Sequence, residues 1–260
     1  MKKILLAIII TISPLAHSFD HSHVSFDLIL QKYLVETSSS QTLFKYKELK
    51  EQGSKSFNEY LASLSKVTLS KYGTFTNDQK LAFLINAYNA FTIKLIIDHY
   101  PVESIRDIGS VFTSAWKKKF FNFLGKKSYL DFIEHEMIRK HFKEPRIHFA
   151  VNCASMSCPS LMPFAFAAKK LDFQLDTAAK AFLGNTEKNQ YDGSQKKLFL
   201  SKIFKWYGGD FEKVHGSVLK YVAPYIKTSA ENRRLIGNEK VRLDYLDYDW
   251  NLNEQKYVFR

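Results

Sequence analysis

The sequence predicts an α+β fold, a mostly helical single domain with a few short strands. A long apolar segment, residues 77–100, is bounded by a helix cap and a proline. Shorter segments carry apolar residues at helical spacing, and alternating runs are few and brief. The composition permits a core. With 260 residues, 45% hydrophobic and 15% aromatic, the chain can bury one sizeable domain and is not broadly disordered.

In chain order, residues 1–18 have the pattern of a secretory signal peptide. Lys2 and Lys3 give a basic start, an apolar run follows from Ile4, Pro14 breaks it, and Ala16 and Ser18 supply small residues before a cleavage site near Ser18/Phe19. The run is far shorter than the roughly 20 apolar residues that span a bilayer. No later segment reads as a span, so the mature chain is expected to be soluble and periplasmic or secreted.

Residues 19–75 read as a helical N-terminal extension. Residues 24–35 form one helix, Ser38, Ser39 and Ser40 mark a loop, and residues 57–67 form a second helix with Tyr60, Leu61, Leu64 and Val67 on one face.

The core domain is expected over residues 76–253. Thr76 and Gln79 are spaced as a capping box for the helix of residues 77–100, and Pro101 ends it. Residues 129–141 read as a helix with Ser128 as N-cap and Asp131 at the capping-box position, turning Leu130, Ile133, Met137 and, less perfectly, Ile138 inward. Residues 146–152 alternate and suggest a short strand entering the cysteine loop. A helix over residues 171–183 and a strand over residues 198–200 follow. Ser201 caps a short helix through Trp206, Gly208 and Gly209 form a turn, and residues 210–225 form another helix. Residues 239–253 look extended, and residues 254–260 are a tail.

The net charge of +12 favours anionic surroundings, yet the basic residues are scattered in short groups such as Lys117, Lys118 and Lys119. No nucleic-acid recognition motif accompanies them, so specific nucleic-acid binding is not expected. Anionic cell-envelope polymers or a peptide substrate are the expected partners. No cofactor motif is present.

Cys153 and Cys158 are the only two cysteines. Their spacing is at the outer edge of a zinc half-site and no second pair exists, so no metal site is expected. In an oxidising compartment the two would pair as a clasp that shapes the loop. As a free thiol, Cys153 would need a neighbouring base. His135 shares a helix face with Arg139 and has Glu134 beside it. On an unbroken strand His148 would face away from Cys153, so His135 is the first choice of base and His148 the second. Asn86 and Asn89 lie on the most buried helix, where amides must be hydrogen-bonded. They serve either a neighbouring backbone or a site.

Several segments together, "INAYNAFTI", "IEHEMIR", "PRIHFAVNCASMSCPSL", "LSKIFKWYGGDF" and "YDWNLN", resemble the family called domain of unknown function 547. The resemblance extends over roughly residues 76–253. Members of that family occur as exported bacterial proteins, behind plant leucine-zipper segments, and beside glutaredoxin-like domains, and no activity is established for it. The resemblance implies motif positions at Asn86, Tyr88, Asn89, Glu134, His135, Arg139, His148, Asn152, Cys153, Ser157, Cys158, Pro159, Trp206, Asp210 and Asp249.

Two functions are therefore expected. The first is thiol-dependent acyl chemistry of the peptidase, amidase or transglutaminase type. Cys153 would be the nucleophile, His135 or His148 the base and Glu134 an orienting group, with Asn86, Asn89, Arg139, Asn152 and Ser157 as binding groups. Its chain order differs from papain's, because only His215 follows the cysteine. The alternative is a non-enzymatic binding or scaffold module, with a Cys153–Cys158 disulfide clasping the loop and a basic surface for anionic envelope components.

Overall fold

The computed structural model describes residues 18–37, 41–110 and 112–255. The expected leader up to residue 17, the expected loop marker Ser38–Ser40 and residues 256–260 of the expected tail lie outside the described residues.

The chain opens with α1 (Val24–Tyr33), which runs straight into the hairpin β1 (Leu34–Glu36) and β2 (Thr42–Phe44), so the first helix is shorter than residues 24–35. Helices α2 (Tyr46–Glu48), α3 (Ser54–Ser65) and α4 (Leu69–Gly73) follow. On α3, Tyr60, Leu61 and Leu64 are buried as the spacing predicts, and Phe26 of α1 stacks on Tyr60 at 4.9 Å.

The central helix α5 (Asn77–His99) starts on the expected capping box. The Gln79 N–H donates to Thr76 Oγ1 at 3.2 Å, and the Thr76 N–H donates to Gln79 Oε1 at 2.9 Å. Its middle is buried on every side, from Leu81 to Ile93. Among the described residues, α5 is long and apolar enough to cross a bilayer by length and composition, contrary to the expectation that no later segment reads as a span. Here its burial makes it the axis of the core.

The hairpin β3 (Phe121–Phe123) and β4 (Lys126–Ser128) leads into a helical segment that differs from expectation. Phe132–Arg139 is wound as a π-helix, in which bonds span five residues. Ile133 and Ile138, five apart, are therefore both fully buried, while Met137 is only partly so. Ser128 is not a cap; it ends β4, and its buried hydroxyl has no partner.

Residues 146–152 are not a strand. Pro145–Phe149 is a 3-10 helix, with the Glu144 side chain accepting from the Arg146 N–H at 3.1 Å. No strand pairs with it, because Asn89 binds the Ala150 carbonyl and the Asn152 N–H that a ladder would need.

Helix α6 (Leu171–Leu183) matches the expected bounds. Strands β5 (Gln190–Asp192), β6 (Lys197–Leu200) and β7 (Arg242–Tyr245) form a mixed sheet, antiparallel between the first two and parallel between the last two. Residues 239–253 are thus strand only over β7.

Between β6 and β7 lie α7 (Lys202–His215), α8 (Val218–Val222) and α9 (Ala230–Gly237). Ser201 caps α7 as expected, but Gly208 and Gly209 lie inside it rather than in a turn. A Cβ on Gly208 would meet Val218 Cγ2 at 3.3 Å, so the glycine permits α8 to approach α7. The break comes at Gly216, whose φ of 81° suits glycine. One hydrophobic cluster joins α1 and α3 to α5, α6 and α7, giving the mostly helical single domain with few short strands that the sequence predicts.

Candidate functional site

Three buried asparagines build the floor of the site. Asn86 takes both backbone groups of Phe166, donating to its carbonyl at 2.7 Å and accepting its N–H at 2.9 Å. Asn89 donates to the Ala150 carbonyl and accepts the Asn152 N–H, both at 2.8 Å. Asn152 donates to the Pro159 carbonyl at 2.6 Å and accepts the Ala154 N–H at 2.8 Å. That last bond supports Ala154 at a φ of 58°, a conformation costly for a residue with a Cβ. Residues 150–166 are thus fastened to α5 by side-chain amides, whose interior hydrogen bonds leave none of these atoms free.

On this floor Cys153 and Cys158 form a disulfide, with Cα atoms 6.1 Å apart. The outer edge of the loop is laced to the C-terminal segment. Ser157 donates its N–H to the Asp249 carbonyl at 3.1 Å, and its hydroxyl accepts the Asp249 N–H at 2.8 Å. The Met156 N–H donates to the Asn251 carbonyl at 2.8 Å. Beneath the loop, the buried Lys188 ammonium donates to the Cys158 carbonyl, and burial lowers its pKa to about 8.

Both sulfur atoms' residues form part of the wall of a cavity of about 270 Å³. All three tryptophans of the chain, Trp116, Trp206 and Trp250, line it, together with Tyr88, Tyr207 and Tyr248. Tyr248 lies 4.5 Å from Trp250 and 4.8 Å from Trp206 between ring centroids. Its hydroxyl is 3.3 Å from Cys153 Sγ and from Ser155 Oγ.

The polar part of the wall consists of Asp131, Glu134 and His148. Glu134 is buried, and the phenols of Tyr88 and Tyr207 hydrogen-bond to it; burial first and this carboxyl second push both phenols up. The π-helix brings Glu134 to the cavity while Ile133 and Ile138 stay in the core. Burial also raises the Asp131 carboxyl, with Glu134 adding to the shift and His135, 3.8 Å away, opposing it.

His148 stacks on Tyr207 at 4.2 Å, and its Nε2 lies 2.9 Å from Asp210 Oδ2. Burial lowers its pKa, so at neutral pH the ring is neutral and Nε2 carries the proton donated to Asp210. Nδ1 is then an acceptor, and it has no partner. Asp210 also accepts from Arg139 Nε at 2.6 Å; the His148 bond first, and Arg139 after it, hold this carboxyl well below the usual range.

Of the residues expected at a site, Cys153, Cys158, His148 and Glu134 meet on one wall, whereas His135 does not line it. His135 instead lies 3.1 Å from Arg139, beside Asp131. Of the two candidate bases, His148 and not His135 lines the cavity with Cys153. His148 shares the cavity with Cys153 because the 3-10 turn replaces the strand that would have separated them. Asn86, Asn89, Asn152 and Ser157 hold backbone, and Arg139 holds Asp210.

Trp116, Asp131 as a wall residue and Lys188 were not anticipated. The gathering of every tryptophan in one place was not visible from spacing, although Trp206, Tyr207, Tyr248 and Trp250 lie in segments that carry the family resemblance. A larger groove of about 930 Å³ between α1 and α3 contains none of the expected site residues. Among the described residues, no group of three His, Cys, Asp or Glu side chains is placed to hold a metal ion.

Residues 72–183 match the model of the family described as "Protein of unknown function, DUF547". The match includes α5, the π-helix and the disulfide loop. It ends before Trp206, Asp210, Tyr248 and Trp250, which complete the cavity and its Asp210 contact. No curated protein and no solved structure matches the chain.

Proposed function

We propose that this chain is an exported, non-enzymatic binding module. Its disulfide-clasped loop holds open the aromatic cavity for a small ligand, and its basic surface meets anionic envelope polymers. The observation that carries this reading is the Cys153–Cys158 bond in the cavity wall, which occupies both sulfurs and leaves no thiol to attack a substrate. The fully satisfied amides beneath it fit a rigid receptor, since a preformed site loses less entropy on binding.

Every tryptophan lines the cavity, so intrinsic tryptophan fluorescence reports on it directly. Titration with small ring-bearing compounds is expected to give saturable changes that Trp206→Ala weakens or abolishes. Their absence across charged and neutral compounds would remove the small-ligand reading. Retention on a polyanion resin, falling steeply with salt, tests the surface separately. Export is tested by the N-terminal sequence of protein recovered from the periplasm or medium, which should begin near Phe19.

One observation favours the second reading, thiol-dependent acyl transfer: His148, bonded through Nε2 to Asp210, lines the cavity with Cys153, and its Nδ1 has no partner. A thiol reductant would first have to open the disulfide. His148 would then take the Cys153 proton, the thiolate would attack an acyl carbon, the same proton would pass to the departing amine, and water or a second amine would release the acyl group from the thioester. Alkylation of the reduced protein decides between the readings. Cys153 reacting much faster than Cys158 near neutral pH supports the enzyme; similar slow rates support the clasp.

A further inference from the structure

The wall of the aromatic cavity is opposite in character to the protein around it. The chain carries a net +12, yet no lysine or arginine lines the cavity, and its ionisable side chains are Asp131, Glu134, His148 and tyrosines. The tyrosine protons are already engaged: Tyr88 and Tyr207 hydrogen-bond to Glu134, and the Tyr248 hydroxyl, which accepts from Ser155 Oγ, has its own proton toward Cys153 Sγ at 3.3 Å, since a disulfide sulfur has none to give.

What the wall still offers is acceptors. A carboxylate has about four acceptor positions, and the two phenols use only part of Glu134. Glu134 is 4% exposed, and among the described residues no ion pair includes it. His148 is 1% exposed, and its Nε2 is turned to Asp210. The two imidazole nitrogens point in widely different directions, so Nδ1 offers a lone pair away from that bond, with no partner.

A buried acceptor without a donor costs free energy that a matching donor recovers. A ligand suited to this wall must bring N–H donors and positive charge, and its apolar part must suit ring faces. An anion would meet two carboxyl groups and no cation. A neutral ligand would leave Glu134 without an ion-pair partner.

We infer that the cavity binds an organic ammonium ion: Glu134, Asp131 and His148 Nδ1 accept its N–H protons while the tryptophan and tyrosine rings enclose its apolar part. Aromatic faces attract such cations through their quadrupoles. The protein itself shows that contact on two of these rings, with Arg106 over Trp250 at 5.3 Å and Arg139 over Tyr207 at 4.9 Å. The volume of about 270 Å³ suits a small amine or one amine-bearing side chain, not a polymer.

This inference rests on the small-ligand reading proposed above, and one titration separates the two. The full mature chain, with its disulfide intact, is titrated by tryptophan fluorescence with 2-phenylethylammonium, 2-phenylethanol and 3-phenylpropionate, which share a ring and differ in charge. The ammonium is expected to bind about tenfold or more tighter than the alcohol, with the carboxylate weakest. Glu134→Gln and Asp131→Asn are each expected to lower ammonium affinity by about tenfold and to leave the alcohol nearly unchanged. If Glu134→Gln does not fold, Asp131→Asn, on the half-buried part of the wall, carries the comparison. Alcohol or carboxylate binding as tightly as the ammonium overturns the inference and leaves the binding module standing. Failure of all three probes to bind removes both.

Discussion

The amide clamps under the cysteine loop and the acceptors on the cavity wall are near neighbours that use polar groups differently. Asn86, Asn89 and Asn152 spend both ends of each amide on backbone. The nearby His148 leaves Nδ1 unpartnered, and Glu134 is met by neutral phenols alone. Burial is equally deep in both sets, so burial does not distinguish structure from function. Saturation separates these two sets: a satisfied polar group rigidifies the fold, and an unsatisfied one in a cavity wall can meet a donor from a ligand. Size is no better a guide, since the larger groove between α1 and α3 is lined by exposed Lys32, Gln52, Glu59 and Lys66.

The largest effect should come from the clamps. Asn89→Ala removes two buried hydrogen bonds and strands their backbone partners, so it is expected to cost about 3 kcal/mol in denaturant unfolding. Charge preference among the phenyl probes should survive wherever that variant still folds. Glu134→Gln should behave in the opposite way, affecting ligand affinity more than stability. If the two variants prove alike in both measurements, the distinction between clamp and wall is lost.

Replacing both cysteines by alanine should cost about 2 kcal/mol, because the bridge closes a short loop and removes little chain entropy. The cavity should bind its probes less tightly, since one wall is no longer clasped. Unchanged affinity in a measurably destabilised double variant would show that the amides alone shape the wall.

Lys188 supplies a pH test of the clamp side. The unfolded side chain keeps its proton to near the ordinary 10.5, whereas the folded one loses it at about 8. Between those values the unfolded chain binds more protons, so raising the pH through this window should favour folding, by up to about 1.4 kcal/mol per pH unit. Lys188→Met should flatten that slope in melts taken from pH 8 upward. An identical slope in both proteins would mean that the lysine is not held as its burial and its bond to the Cys158 carbonyl imply.

The smallest effect is expected at the outer edge of the loop. Ser157→Ala removes one partly exposed bond to the Asp249 N–H and should cost about 1 kcal/mol. A much larger loss would show that the C-terminal lacing, rather than the asparagines, sets the position of the loop.

Helices whose patterns repeat locally were legible from the residues: α5 with its capping box, the buried face of α3, and α6. The elements that differed were decided by distant partners. A π-register suits two isoleucines five apart only once a core exists to receive both. The Gly208-Gly209 pair reads as a turn until α8 is found packed against it. The alternating residues 146–152 lacked a strand partner, because Asn89 had taken their backbone groups.

For the site, the cysteine loop, His148, Glu134 and the aromatic motifs were visible as residues but not as one wall. Their types restrict chemistry locally: two close cysteines can pair, a buried asparagine must be bonded, and a capped apolar segment becomes a core helix. Which histidine meets the cysteines, which carboxyl is left short of partners and where the tryptophans gather depend on elements far apart in the chain. The sequence by itself determined the helical frame and the residue types available to it. Only tertiary structure decided which polar groups were satisfied, because a hydrogen bond between distant residues depends on distance and direction that spacing along a chain does not set.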